Sequence, residues 1–175
     1  DTGAGIVTST GSTVDVNVSS TSTTAALTFD GVTSEGVTTV TETAAATPGA
    51  LPAGFSLGSQ NIYYEISTTA GYAGSVFVCL GYNPAEYTNQ TLLKLFHWNG
   101  SAWDDITVSV DTVANVVCGL TFSFSPFAIG QQIGATAINL ASFSASVADG
   151  QVTLDWSTAA EIDNAGFQIL RSSSP

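Results

Sequence analysis

The sequence predicts an all-β protein: an antiparallel β-sandwich followed by an incomplete second β-sandwich module. Apolar residues alternate with polar ones in almost every run, and no amphipathic segment reaches helical length, so the period is that of strands. Gly, Pro, Asn and Asp punctuate these runs at short intervals, as in a sandwich whose strands are joined by tight connections. After Leu140 come two alternating runs and the beginning of a third, whereas an independent sandwich takes about seven strands over roughly 100 residues. The expected organisation is a flexible N-terminal arm over residues 1–11, a main sandwich over 12–132, a linker over 133–138 and a partial module over 139–175.

The first 24 residues are rich in Thr, Ser and Gly and contain one clear alternation, Val14, Val16 and Val18. Three β-branched side chains on one side favour a strand, either the first of its own domain or one donated to a neighbour. Leu27 and Phe29 share a face of the next run, which ends in the turn signal Asp30-Gly31. Val37 and Val40 mark another. Pro48, Gly49, Pro52 and Gly54 follow; prolines remove amide donors and fix φ, which predicts a connection between the two sheets.

Ile62, Tyr64 and Ile66 share one side of the following strand, with Tyr63 and Glu65 on the other. Gly71 and Gly74 bracket a turn before the run that carries Cys79. A polar connector then leads to a hairpin in which Leu93, Leu95 and His97 share one parity and Lys94, Phe96 and Trp98 the other. Asn99-Gly100 makes its turn, and Trp103, Ile106, Val108 and Val110 begin the return. The run carrying Cys118 closes a domain of about eight or nine strands. In the tail, Phe143 and Ala145 alternate, Asp149-Gly150 turns the chain, and Val152, Leu154 and Trp156 form an apolar face that Phe167 and Ile169 extend. That sheet cannot bury its face alone, so further strands or another molecule are expected to complete it.

Two basic residues stand against fourteen acidic ones, a formal net charge of −12 at pH 7. Phosphate backbones are bound through Lys and Arg, so nucleic acid is excluded as a partner and anionic membrane surfaces are disfavoured. No run of eighteen apolar residues occurs, so no membrane span is expected. A start without Met is compatible with removal of a secretion signal. Charged residues are 9% of the chain, against about 25% in an ordinary domain, and a surface of hydroxyls and amides offers little opposition to strand-to-strand contact.

Cys79 and Cys118 each lie in an alternating run without a metal-ligand neighbour. A disulfide between adjacent strands is the first reading, with two buried free thiols and a reactive cysteine as the alternatives. In the chain-entropy account, closing a loop of about 40 residues contributes on the order of 4 kcal/mol. A disulfide implies an oxidising, exported setting.

Little else suggests chemistry. His97, the single histidine, sits between Phe96 and Trp98 and lacks a visible nucleophile. Asp104 and Asp105 are adjacent in a strand and point to opposite faces, so they do not converge as an acid/base pair. With Asp111 they lack the spacing of a calcium loop. No enzyme activity, cofactor or metal is expected. Tyr63, Tyr72, Tyr82, Tyr87 and Trp98 fit either sheet packing or a stacking surface for a glycan. Asn17, Asn89 and Asn99 begin glycosylation-type triplets.

The stretch LKLFHWNGSAWDDITVSVDTVANVVCGLTFSFSPFAIG, over residues 92–129, resembles the end of ZU5-like sandwich domains in secreted bacterial proteins. The resemblance implies a structural surface domain. Some related domains cleave themselves at His-Phe-Ser; here Ser123-Phe124-Ser125 lacks the imidazole beside Ser125, so self-cleavage is not expected. The tail resembles the first strands of a fibronectin type III-like module through Val152, Leu154, Trp156, Glu161, Asn164, Gly166, Phe167 and Arg171. Such modules space, display or join other domains.

The expected function is therefore a secreted structural subunit of a bacterial cell-surface assembly, a filament joined by strand complementation being one form. Its partners would be copies of itself or neighbouring domains of the same exported protein. The donor interface would be Val14, Val16 and Val18, or the incomplete module would dock through Val152, Leu154, Trp156, Phe167 and Ile169. An adhesin or carbohydrate-binding module, and a noncatalytic fragment of a larger secreted hydrolase, are the alternatives.

Overall fold

The computed structural model describes residues 5–20, 23–44, 49–124, 126–133, 139–160 and 166–169. The chain divides into two compact units, Asp1–Gln132 and Ile133–Pro175. The first contains β1 (Ile6–Thr8), β2 (Gly11–Ser19), β3 (Thr24–Ser34), β4 (Gly36–Thr43), β5 (Phe55–Leu57), β6 (Tyr63–Thr68), β7 (Gly71–Gly81), β8 (Leu93–Trp98), β9 (Trp103–Asp105), β10 (Thr107–Asp111), β11 (Val116–Thr121) and β12 (Pro126–Gln132). One sheet has the order β1-β4-β6-β12-β8-β9, with β5 also paired to β12; the other has the order β10-β11-β7-β3-β2. The pairing is antiparallel throughout.

Alternation places one residue in two between the sheets. Val16, Val18, Leu27, Phe29, Val76, Val78, Leu80 and Val117 enter from the second sheet, and Val40, Tyr64, Ile66, Leu93, Leu95, Phe127 and Ile129 from the first. The first sheet also buries part of its outer face. Leu51, Phe55 and Leu57 pack there against Tyr63, Phe96, Trp103 and Ala128, and the Gly49 carbonyl accepts hydrogen bonds from Tyr63 Oη at 3.1 Å and Trp103 Nε1 at 3.2 Å. Covering both faces explains why Phe96 and His97, which point opposite ways, are both buried.

Several connections cross between the sheets, and hydrogen bonds brace two of these regions. At one, β1 passes to β2, β3 to β4 and β6 to β7 within a few residues. Here Thr69 N–H donates to Val37 O at 3.0 Å, Val37 N–H to Thr69 Oγ1 at 2.8 Å and Gly71 N–H to Ser34 Oγ at 3.0 Å. Gly36 is required at this crossing, because a Cβ there would lie 2.1 Å from the Ala70 nitrogen. The buried hydroxyls of Thr8 and Thr38 and the half-buried one of Thr68 form a chain at 2.6 and 2.8 Å, so the polar groups of the corner satisfy one another. At the other, Ile106 serves both sheets: its N–H donates to Leu95 O at 3.0 Å and its carbonyl accepts from Leu120 N–H at 3.2 Å.

Several sequence expectations are corrected by these details. Residues 6–11 are not arm, since β1 pairs with β4 and Gly11 opens β2. Asp30-Gly31 is not a turn; it is a bulge within β3, where Asp30 Oδ2 accepts from Ser75 N–H and Oγ, both at 2.7 Å. Those bonds hold the Asp30 carboxyl below its ordinary pKa. Gly71 and Gly74 both lie inside β7. The Pro/Gly segment does not change sheets, because β4, β5 and β6 share one. The expected single return strand is β9 and β10, divided at Ile106, so among the described residues the first unit alone has more strands than the eight or nine anticipated.

The second unit is described by itself. Its β13 (Asn139–Ala148) and β14 (Gln151–Ala160) form an antiparallel two-stranded sheet. Asp149 and Gly150 join them with φ of 50° and 75°, the left-handed pair that matches the twist of a hairpin.

Candidate functional site

The β13–β14 hairpin separates its residues by chemistry. Phe143 opposes Trp156, Ala145 opposes Leu154 and Val147 opposes Val152, so one face is apolar along these three pairs. The other carries Ser144 opposite Asp155 and Ser146 opposite Thr153, with Ser142 and Ser157 sharing a hydroxyl hydrogen bond of 2.6 Å. Such a division belongs to a sheet with one buried side. Yet Phe143 is 64% exposed and Val147 74%.

Beyond the hairpin, Phe167 meets the Trp156 ring edge-on with centroids 5.5 Å apart. Leu140, Phe143, Leu154, Trp156, Phe167 and Ile169 line an open cleft of about 270 Å³. Val152, Leu154, Trp156, Phe167 and Ile169, singled out from the sequence, thus lie on one apolar surface except that Val152 stands outside the cleft lining, toward the turn. Leu140, Phe143 and Val147 also belong to the surface, and their signal was the pairing across the Asp149-Gly150 turn, which aligns both strands once the turn length is set. Among the described residues each strand pairs only with the other.

The remaining candidate residues are dispersed. Val14, Val16 and Val18 lie on β2, an edge strand of the chain's own second sheet, with Val16 and Val18 buried between the sheets. Cys79 and Cys118 are joined as a disulfide across β7 and β11, closing a sequence separation of 39 residues. Tyr63, Tyr82 and Tyr87 are buried, Tyr72 packs edge-on against Phe29, and Trp98 against Trp103. These rings therefore form parts of two cores and not one exposed platform.

His97 is 5% exposed, with its ring centroid 4.8 Å from that of Phe127. Burial pulls its pKa below 6.5, opposed by Asp104 and by a hydrogen bond to the Ser123 backbone. Asp104 accepts from Asn99 Nδ2 at 2.9 Å, Asp105 pairs with Lys94 at 3.0 Å, and Asp111 accepts from the N–H groups of Val113 and Ala114. Each carboxylate thus serves its own turn or strand. Among the described residues no group of three or more His, Cys, Asp and Glu side chains converges as a metal site, and no helix is long and apolar enough to cross a membrane. Ser125, Glu161, Asp163, Asn164 and Arg171 lie outside the described residues.

Comparison with protein-family models, curated proteins and solved structures finds no match to this chain. The two-sheet sandwich is therefore established by its geometry, without a family attached to it.

Proposed function

We propose that this protein is a structural component of an exported bacterial surface assembly, in which the sandwich is a rigid body and the β13–β14 hairpin joins a neighbouring β module. The observation that carries the reading is the exposed apolar face of that hairpin. An isolated two-stranded sheet is marginal in water, and each of its large apolar side chains gains roughly 1.5–3 kcal/mol when covered. Strand addition alongside the hairpin would supply backbone hydrogen bonds, and the apolar row would select the register. The ZU5-like and fibronectin type III-like resemblances, the disulfide and the scarcity of charge support export and assembly together.

Sedimentation velocity over a wide concentration range tests this with the whole chain. Concentration-dependent association is expected, and Phe143→Ser with Trp156→Ser should abolish it while the sandwich keeps its unfolding midpoint. A persistent monomer whose hairpin amides are strongly protected from exchange would show the face already satisfied within one chain and end the proposal.

A further inference from the structure

Cys79 and Cys118 are directly opposed in the β7–β11 register, with Cα atoms 4.1 Å apart. That spacing belongs to the close, non-hydrogen-bonded pairs of an antiparallel ladder, about 4.5 Å. It falls short of the 4.4–6.8 Å usual for disulfides. The backbone ladder, continued by β3 on one side and β10 on the other, sets the separation and would hold the two strands together without the bridge. Both cysteines are half-buried, facing away from the core formed by Val78, Leu80 and Val117.

Their neighbours across the sheet are small. The register runs Ala26, Cys79, Cys118, Ser109, and Ala26 and Ser109 are both exposed. Thiolates attack disulfides in line with the S–S bond, and the residues that flank the bridge in this row, Ala26 and Ser109, have small side chains. The outer face of the sheet thus leaves a path to either sulfur.

We infer that Cys79–Cys118 is a thiol–disulfide exchange site, open to a small dithiol in the folded protein, and not only a structural clamp. A thiolate of the dithiol attacks one Sγ, breaks the Sγ–Sγ bond and forms a mixed disulfide; the other cysteine departs as thiolate and takes a proton from water. The second sulfur of the dithiol then attacks the mixed disulfide, closes a cyclic disulfide on the reductant and releases the remaining cysteine. The protein gains the two electrons that the dithiol loses. Because the ladder keeps the thiols opposed, oxidised dithiol restores the same bridge. Bridges that a reductant can reach from solvent are the more readily reduced ones.

The test treats the intact protein with dithiothreitol in the absence of denaturant, counting thiols by alkylation and mass while far-ultraviolet circular dichroism and tryptophan fluorescence follow the fold. Two thiols are expected to appear with both spectra unchanged, and oxidised dithiothreitol should remove them again. Ala26→Trp combined with Ser109→Trp, in an oxidised protein of unaltered urea midpoint, should slow reduction at least tenfold. Thiols that appear only together with loss of the folded spectra, or a rate indifferent to the two tryptophans, would overturn the inference.

Discussion

The two units bury their apolar rows in opposite ways. In the sandwich, Phe29 and Phe127 are fully buried and contacted from both sheets; in the hairpin, Phe143 and Val147 stand in the same kind of alternating row and remain exposed. Local pattern is equal in the two places, so pattern alone does not produce a core. What differs is a second layer. The sandwich supplies one across its gap and a partial third through Leu51, Phe55 and Leu57, whereas the two-stranded hairpin has, among the described residues, the short segment of Phe167 and Ile169 beside its apolar face.

That contrast is most sharply tested by making one change in both places. Phe127→Ala should cost about 3–5 kcal/mol, because it removes a large side chain from a packed interior and leaves a cavity. Phe143→Ala should leave the urea midpoint of the sandwich within about 0.5 kcal/mol. Equal losses at the two sites, measured by urea unfolding, would remove the distinction between closed and open rows.

A smaller effect examines how the closed unit turns its corner. Gly36→Ala forces a Cβ against the Thr69–Ala70 backbone, and such overpacking typically costs about 1–3 kcal/mol. Gly150→Ala, in the hairpin turn, meets no atom within 4 Å but keeps a φ of 75°, so its penalty should stay in the hairpin. Thermal unfolding of the sandwich should separate them, with a lowered midpoint only for Gly36→Ala.

The smallest predicted effect is a pH dependence confined to the closed unit. Burial depresses the folded-state pKa of His97 below 6.5, so the neutral form is favoured in the folded chain. Above 6.5 the imidazole is neutral in both states and nothing is lost. As pH falls below 6.5 the unfolded chain takes up a proton that the folded chain resists, and stability declines until the folded pKa is passed. Urea midpoints at about pH 7.5 and 5.5 should therefore converge in His97→Gln relative to the parent. The Asp30, Asp105 and Asp111 carboxyls, held below 3.8 by hydrogen bonds and, for Asp105, also by Lys94, weaken the fold only at lower pH and do not obscure this window.

Much of the strand content was legible in residue order. Parity correctly separated Leu93, Leu95 and His97 from Phe96 and Trp98, because neighbouring side chains in a strand point to opposite faces whatever surrounds them. Turn chemistry was legible only where a tight hairpin demands it, as at Asn99-Gly100 and Asp149-Gly150. At Asp30-Gly31 the same residue types made a bulge, because Ser75 on the next strand offered the Asp30 carboxylate two donors. The division at Ile106 left only a break in alternation between Trp103 and Ile106; that the two halves join different sheets is set by the partners Leu95 and Leu120.

The candidate surface shows the same limit. Trp156, Leu154 and Val152 were visible as a row, and so was the shortage of strands to bury it; which residues the row meets was not visible, because contact depends on atoms distant in sequence.

Residue order by itself determined that this is an antiparallel β protein, which side chains share a face, and that the chain is strongly acidic. Those properties follow from backbone periodicity and summed charge, which need no neighbours. Tertiary structure alone decided where strands change sheets, which aromatic rings are enclosed, and that Cys79 stands opposite Cys118 on neighbouring strands. Each of these is a relation between segments far apart in the chain, settled by which surfaces meet and which do not.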